Sequence, residues 1–456
     1  MMATEKIRLF GLFVHAIVFV GVLAGCMSGD FLHIEEPEKT TLTFRHFWIR
    51  EHDRPVERII ADVIAEFERD HPQVKIDFEG MDQTIHREQK LKSEMVTGNP
   101  PDIIALFGGA EIEPYVHAER LVDLSGFLQE NGLEQSFKDL SLWTFDGGVY
   151  GLPLEGHAEP LFYNRDLFER FGLEPPRTFP ELMKITETFN QNGIVPFALG
   201  NDELWQGAVY YHYFLHRFGG PQRIEAIASG TGTFVNPDYI RAAETFTRFI
   251  EASPFPIDVN KQDRDYAIRL FTSEKAAMYL NGNWDITLFK TGPEGERFSD
   301  KIGVVNFVPD LAGSDGSQAL AGGYTLGLGI SAGVNEKQKE AALALFERIY
   351  RPEVQQRLVY EAMRIPSMDI AFDEKGADPV FAQVTALLEE TQETFIPYDN
   401  ILPPEVKQQF LRSIRQVIAR EKREGEELLD MQEVSERYWK LRESVDEPDE
   451  LDKFMR

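Results

Sequence analysis

The chain has 456 residues, of which 43% are apolar, and a net charge of −29. This length predicts two large lobes, because a single compact core rarely grows to this size. The acidic charge excludes nucleic acid as a partner, since binding phosphate requires a basic surface. Cys26 is the single cysteine, so no intramolecular disulfide is possible and the fold must be held by its core.

The start of the chain has the pattern of an export signal. Basic residues precede an apolar run at 9–22, small residues follow, and Cys26 comes directly after them. The apolar run is shorter than the roughly 20 residues that a membrane-spanning helix needs, which favours a cleaved signal. We therefore expect residues 1–25 to be a signal peptide and the polar residues 26–39 to be a flexible tether.

The folded part is predicted to begin with strand, helix and strand. Apolar residues at 42–48 predict a strand, and those at 56–67 recur at helical spacing with one apolar face. Alternating apolar residues at 74–78 predict the next strand. Elements of these lengths form a βαβ unit, so we expect a parallel sheet.

A second helix is expected at about 84–96, followed by a buried strand at 102–107. In open α/β sheets, ligands bind beyond the carboxyl ends of the strands. Trp48 and Glu111 fall in loops of this kind, which makes both residues candidate ligand contacts.

The rest of the chain is predicted to be richer in helices. Aromatic residues are concentrated at 201–219, and an apolar strand is expected at 325–330 with a helix after it. The charged stretch from about 404 to 439 is predicted to be helical, and 444–456 to be a frayed acidic tail.

Four segments resemble a known family. They are GNPPDII at 98–104, YGLP at 150–153 with LFYNRDLF at 161–168, AAMYLNGNW at 276–284, and GGY at 322–324 with the strand that follows. In order and spacing they resemble the extracellular solute-binding proteins of ABC importers, in the large sugar-binding group that includes maltodextrin-binding proteins. The small residues before Cys26 also resemble a bacterial lipobox, whose cysteine carries a diacylglycerol.

The resemblance implies an α/β, two-lobed periplasmic-binding-protein-like fold, with a hinge and a ligand cleft between the lobes. Residues 40–153 and 302–350 would form lobe one, and residues 154–301 and 351–456 would form lobe two. It also implies a monomer that is held by its lipid at the outside of the cytoplasmic membrane. Its partners would be a sugar or oligosaccharide and the permease subunits of the importer.

The stretch 154–162 would be the first crossing between the lobes. In an extended chain Glu155, His157 and Glu159 point to the same side, because side chains alternate along a strand. A solvated edge is the alternative for such a polar face. In the family the equivalent stretch faces the cleft, which favours ligand contact.

Sugars present apolar faces and a rim of hydroxyl groups, which aromatic rings and polar side chains complement. Trp284 matches the stacking tryptophan of the family, and core packing is the alternative for this and the other aromatic candidates. A solvated or capping role is the alternative for the weaker polar candidates. The further candidate contacts are Asn201, Trp205, Asp285, Gly323, Tyr324 and Arg364.

No catalytic constellation emerges from the sequence. GISAG at 329–333 matches the G-x-S-x-G nucleophile elbow, but the last histidine is His216 and that triad needs a histidine after the serine. Zinc, calcium and nucleotide motifs are also missing from the sequence, so we predict neither a catalytic residue nor a metal or cofactor.

Two alternatives to a sugar-binding protein stay open. The same fold could bind a non-sugar solute such as a polyamine or a peptide. The carboxyl pair of Glu155 and Glu159 could instead serve a lipid-anchored enzyme that acts on glycosides.

Overall fold

The computed structural model describes residues 39–290, 297–308, 310–311, 318–391 and 393–446. The predicted signal peptide, Cys26, the tether up to residue 38 and the last ten residues of the chain lie outside these ranges. Within them, no helix has the length and apolar content that crossing a membrane requires.

The strands of the described chain alternate with helices along the sequence. They are β1 (Thr40–His46), β2 (Val74–Gly80), β3 (Ile103–Phe107), β4 (Thr144–Phe145), β5 (Gly148–Val149), β6 (Leu152–Ala158), β7 (Leu161–Asn164), β8 (Val195–Ala198), β9 (Ala276–Leu280), β10 (Ile302–Val305), β11 (Leu320–Ile330), β12 (Ile365–Pro366) and β13 (Thr394–Phe395).

The α-helices differ widely in length. They are α1 (Arg54–Asp70), α2 (Leu91–Thr97), α3 (Glu113–His117), α4 (Ser125–Glu130), α5 (Arg165–Phe171), α6 (Phe179–Gln191), α7 (Trp205–Ala228), α8 (Pro237–Glu251), α9 (Arg264–Thr272), α10 (Glu336–Ile349), α11 (Pro352–Ala362), α12 (Pro379–Thr391), α13 (Tyr398–Ile401), α14 (Pro404–Ile418) and α15 (Glu426–Asp446).

Local sequence explains where several helices begin. Thr178 and Glu181 form a capping box at the start of α6, in which each side chain bonds the backbone of the other residue. Asn335 and Gln338 form the same arrangement at the start of α10. These bonds satisfy amide groups that have no partner within the helix.

The larger sheet has the strand order β12-β6-β11-β3-β1-β2, with β13 beside β11. Strand β1 pairs in parallel with both β2 and β3, which confirms the predicted parallel sheet. Helix α1 packs on this sheet through the apolar face that the sequence predicts, which includes Ile59, Ile60 and Phe67. The smaller sheet has the order β10-β7-β9-β8.

The buried apolar side chains form two separate cores. One contains residues between Leu42 and Leu154 and returns at Leu326, whereas the other begins at Ala158 and includes Ala321. Strands β6 and β11, which pair in antiparallel fashion, therefore run from one core to the other. This arrangement confirms the predicted two-lobed α/β fold, and we call the lobes first and second in chain order.

Packing near the lobe borders differs from the predicted domain ranges. Ile302 and Leu320 belong to the second core, because β10 pairs with β7 of that lobe. Val354 and Leu358 belong to the first core, because α11 packs on α1. Residues 302–308 and 318–321, together with the first part of 351–456, thus pack with the lobe opposite to the predicted one.

The crossing strands approach each other closely at Gly327. A Cβ atom there would lie 2.2 Å from the carbonyl oxygen of Leu152 and 2.7 Å from the ring of Trp143. Gly327→Ala should therefore lower the free energy of unfolding by about 1–3 kcal/mol, as overpacking does elsewhere. Urea unfolding measures this.

Gly126→Ala is the matched control, because a Cβ atom at Gly126 in α4 meets no atom within 4 Å. Alanine in a helix should be neutral or stabilising by up to about 1 kcal/mol. Equal stabilities of the two variants would contradict the close approach at Gly327.

Candidate ligand-binding cleft

A cavity of about 690 Å³ lies between the two lobes. Its walls combine Phe47 and Phe107 of the first lobe, Trp205 and Trp284 of the second lobe, and polar residues of the crossing strands. Cavities that bind small ligands typically have about 300–1,000 Å³ and a similar mixture of apolar and polar walls.

Strand β6 supplies one wall of the cleft through its alternation. Glu155 and His157 line the cavity, whereas the intervening Gly156 points away from it. A Cβ atom at Gly156 would lie 2.6 Å from the ring of Tyr324, so that ring covers the far side of the sheet. The next residue of β11, Thr325, lines the cavity instead, with Oγ1 3.4 Å from His157 Nδ1.

Two tryptophans form the aromatic wall. Trp284 follows β9, and its ring centroid lies 6.0 Å from that of Trp205 in an edge-to-face arrangement. The imidazole of His157 lies 5.4 Å from the Trp284 ring. The indole N–H of Trp284 is buried and has no hydrogen-bond partner within the described residues. This wall offers flat apolar surface and a free donor next to polar groups.

A chain of buried polar groups runs along the floor of the cleft. Arg364 donates from Nη2 to Asp53 Oδ1 at 2.7 Å, and its Nε lies 3.0 Å from Glu155 Oε1. Asp53 Oδ2 lies 2.9 Å from His52 Nε2, and Arg264 Nη2 lies 2.7 Å from His52 Nδ1. Burial lowers the pKa of His52, so its neutral ring donates to Asp53 and accepts from Arg264.

Glu155 keeps unused hydrogen-bonding capacity. Burial raises its pKa to about 7, Asp53 adds to this effect, and Arg364 opposes it. Its Oε2 atom has no hydrogen-bond partner among the described residues. The carboxyl group can therefore accept a hydrogen bond from a ligand hydroxyl, or donate one when it is protonated.

Glu159 is partly engaged by the second lobe. Its Oε2 atom lies 3.0 Å from Nε2 of His212, and both side chains are buried. The backbone oxygen of Glu159 accepts a hydrogen bond of 2.6 Å from the hydroxyl of Tyr213. These contacts fix the end of the crossing segment, where the chain leaves β6.

Glu111 belongs to an ionic cluster at the edge of the cavity. Arg87 binds its carboxylate through two nitrogens, and Lys407 of α14 lies 3.5 Å from it. Burial raises the pKa of Glu111, but Arg87 and Lys407 outweigh burial and lower it to about 2. The charge of Glu111 is thus neutralised by protein groups.

The structure brings half of the predicted site residues to the cavity wall. These are Glu155, His157, Glu159, Trp205, Trp284 and Arg364. The other half occupy nearby positions with protein partners. Their direct contact with a ligand, like that of the wall residues, stays a prediction.

Four residues of that other half have clear structural roles. Trp48 is fully buried in the first core and stacks on His46. Asn201 accepts from the Gly207 amide, and Asp285 accepts from the hydroxyl of Tyr279. Glu111 has the ion pairs described above, while Gly323 and Tyr324 lie on β11, outside the lining.

Sequence reasoning missed several polar and charged residues of the wall. Three of them follow Trp48 within a few positions, and that proximity was the available signal. The other residues are distant in sequence and reach the cleft only through the fold. The missed residues include Arg50, His52, Asp53, Glu203, Arg264 and Lys407.

The raised pKa of Glu155 predicts a pH dependence of stability. Between its ordinary value of 4.5 and about 7, the folded state binds more protons at Glu155 than the unfolded chain does. This contribution to the free energy of unfolding is complete below 4.5 and is lost as the pH rises through about 7. Glu155→Gln should remove it, so wild type should lose stability relative to the variant across this range. Urea unfolding of both proteins at several pH values measures it, and parallel curves would contradict the prediction.

Comparison with known proteins places the chain in a family. The family model of the bacterial extracellular solute-binding protein matches residues 54–356. An uncharacterised ABC transporter extracellular-binding protein of Pyrococcus horikoshii is 27% identical over 297 residues, which cover 63% of this chain and 66% of the relative. The melibiose/raffinose/stachyose-binding protein MelE of Bacillus subtilis is 25% identical over 280 residues, which cover 60% and 62%. The chain thus matches somewhat less than two thirds of the length of these relatives.

A solved structure agrees over a longer stretch. A chitin oligosaccharide binding protein superposes with a TM-score of 0.83 at 26% identity and covers 88% of this chain and 99% of its own. The matched family and the names of these proteins describe binding proteins and not enzymes, as the sequence predicted for this chain. The match over 54–356 spans both lobes and the crossing strands, so the chain belongs to the family of bacterial extracellular solute-binding proteins.

Proposed function

We propose that this chain captures a sugar or an oligosaccharide in its interlobe cleft and delivers it to the permease of an ABC importer. One observation carries the proposal: the Trp284 and Trp205 rings line the same cavity as a buried Glu155 carboxyl group with a free oxygen. The names of MelE and of the chitin oligosaccharide binding protein support a saccharide ligand.

The wall chemistry suits a neutral saccharide. Aromatic rings cover the C–H faces of a sugar, and charged side chains bind its hydroxyl groups. A few hydrogen bonds to charged groups, each contributing about 1.5–3 kcal/mol, give roughly −8 kcal/mol together with a stacked ring. That free energy corresponds to micromolar binding.

Most carboxylates of the wall already have cationic partners. Asp53 is paired with Arg364, and Glu203 is paired with Arg50. A polyamine would compete with these internal cations, whereas a neutral ligand leaves the pairs intact. The charge pattern therefore favours a neutral saccharide over the non-sugar alternative.

Ligand capture would proceed by closure of the lobes about the crossing strands. A ligand that touches Trp284 in the second lobe and Asp53 near the first lobe gains both sets of contacts only in the closed state. It therefore stabilises that state by its differential affinity. The permease would recognise the closed face, and the binding protein would act as a monomer.

The proposed anchor is a diacylglycerol on Cys26 at the outside of the cytoplasmic membrane. Two acyl chains hold a protein on a bilayer stably, whereas a single chain binds weakly. The net charge of −29 would keep the lobes away from an anionic lipid surface.

Trp284→Ala should weaken saccharide binding by at least about tenfold, because it removes the stacking surface and its desolvated contact area. Calorimetric titration with chitin, xylan and raffinose-type oligosaccharides measures the affinity. Trp439→Ala is the matched control, since Trp439 packs on Gly230 and bonds Ile227 away from the cleft. We expect the control to bind like wild type. Equal affinity of wild type and Trp284→Ala would contradict the proposal that the aromatic wall binds the saccharide.

Cys26→Ala should release the chain from the membrane without changing its affinity for the ligand, because the cysteine would serve only as the lipid attachment site. Membrane fractionation together with a binding assay on the released protein tests both parts. A variant that stays in the membrane fraction would contradict the proposed anchor.

A further inference from the structure

Two ion-pair bridges join the lobes along the wall of the cleft. In the first bridge, Arg50 of the first lobe binds Glu203 of the second lobe, with Nη1 3.0 Å from Oε2. Asp82 supports Arg50 at 3.3 Å from Nη2. Arg50 and Glu203 both line the cavity, so this bridge closes part of its rim.

The second bridge is centred on Lys407 of α14, in the second lobe. Its Nζ lies 3.4 Å from Glu88 Oε1 and 3.5 Å from Glu111 Oε2, and both carboxylates belong to the first lobe. The side chain of Lys407 is buried, and Lys407 and Glu88 line the cavity. Burial raises the pKa of Glu88 while Lys407 lowers it, with a net decrease, so the bridge is ionic.

The two bridges are anchored on one helical segment of the first lobe. Asp82 supports the first bridge and Glu88 accepts the second, and the cavity wall between them is made by Gln83, Thr84 and Arg87. Ile85–Lys90 in this segment is π-helical, and even six residues of α-helix would span only roughly 9 Å. The opening between the bridges is therefore short on the scale of an oligosaccharide.

A long ligand would have to separate one of these pairs to leave the cleft. Pulling Lys407 away from Glu88 and Glu111 leaves its buried ammonium group without these ion-pair partners, which is strongly unfavourable. A ligand that ends between the bridges leaves them intact and also benefits from the closure that they stabilise.

We propose that Lys407, with Glu88 and Glu111, sets the length limit of the ligand by closing one end of the cleft. The Arg50–Glu203 bridge closes the other end of the opening, beside Asp82. The inference rests on the proposed saccharide-binding function and adds a specificity determinant to it: the cleft takes short saccharides and discriminates against their longer homologues.

The test is a length series. Wild type is titrated by calorimetry with chitin and maltodextrin oligosaccharides from the disaccharide to the hexasaccharide. In whichever of the two series binds to wild type, we expect the longest oligosaccharides to bind more weakly than the shorter ones. In Lys407→Ala, the ratio of long-chain to short-chain affinity should rise by at least about tenfold.

Two controls separate bridging from general effects. Lys75→Ala removes a charge of the same sign that pairs with Glu68, at 3.0 Å, within the first lobe and outside the cavity lining. Arg442→Ala removes an interlobe pair with Glu113 that lies outside the cavity lining. Neither substitution should change the length ratio. Should Lys407→Ala not fold, Arg50→Ala tests the same expectation at the other bridge.

The outcomes are distinct. An unchanged ratio in a bridge variant, or an equal change in a control, overturns the length limit and leaves the saccharide function intact. A wild type that binds no member of either series overturns the length limit together with its basis, the saccharide function. A rise confined to the bridge variants supports the inference.

Discussion

A buried guanidinium at the junction of the two lobes is the constraint on which the cleft depends. Arg364 is 1% exposed and must be compensated, since an unpaired buried charge is strongly destabilising. Asp53 from the first lobe and Glu155 from the crossing strand compensate it, and His52 links Asp53 to Arg264 of the second lobe. Compensation of the Arg364 charge thus requires residues from both lobes to lie together at the floor of the cleft.

The crossing strands turn this floor into a binding surface. Because β6 runs from one core to the other, its alternation places Glu155 and His157 in the cleft and Gly156 against Tyr324 on the far side. Apolar cores on each side hold the strand in register, so the polar residues cannot retreat from the cavity. The resulting wall combines flat indoles with a carboxyl group whose hydrogen-bonding capacity is incomplete. Such a wall complements a saccharide that has both apolar faces and hydroxyl groups.

Local sequence patterns predicted the helices and strands better than they predicted how these elements pack together. Apolar spacing predicted α1 within a few residues, and alternation predicted β2, but the helix expected at 84–96 is a π-helical turn at Ile85–Lys90 followed by α2. The helical stretch expected at 404–439 is divided into α14 and α15. Resemblance and alternation indicated Glu155, His157 and Trp284. They missed Arg264 and Lys407, because partners that are distant in sequence leave no periodic signal.

Calorimetric titration of wild type with neutral oligosaccharides and polyamines, at several temperatures, tests the central claim most directly. We expect one neutral saccharide to bind per chain, with a negative heat-capacity change, because closure buries the indole wall and the apolar faces of the sugar. Binding of a polyamine or an anion at the same stoichiometry, with no heat from any neutral saccharide, would contradict it.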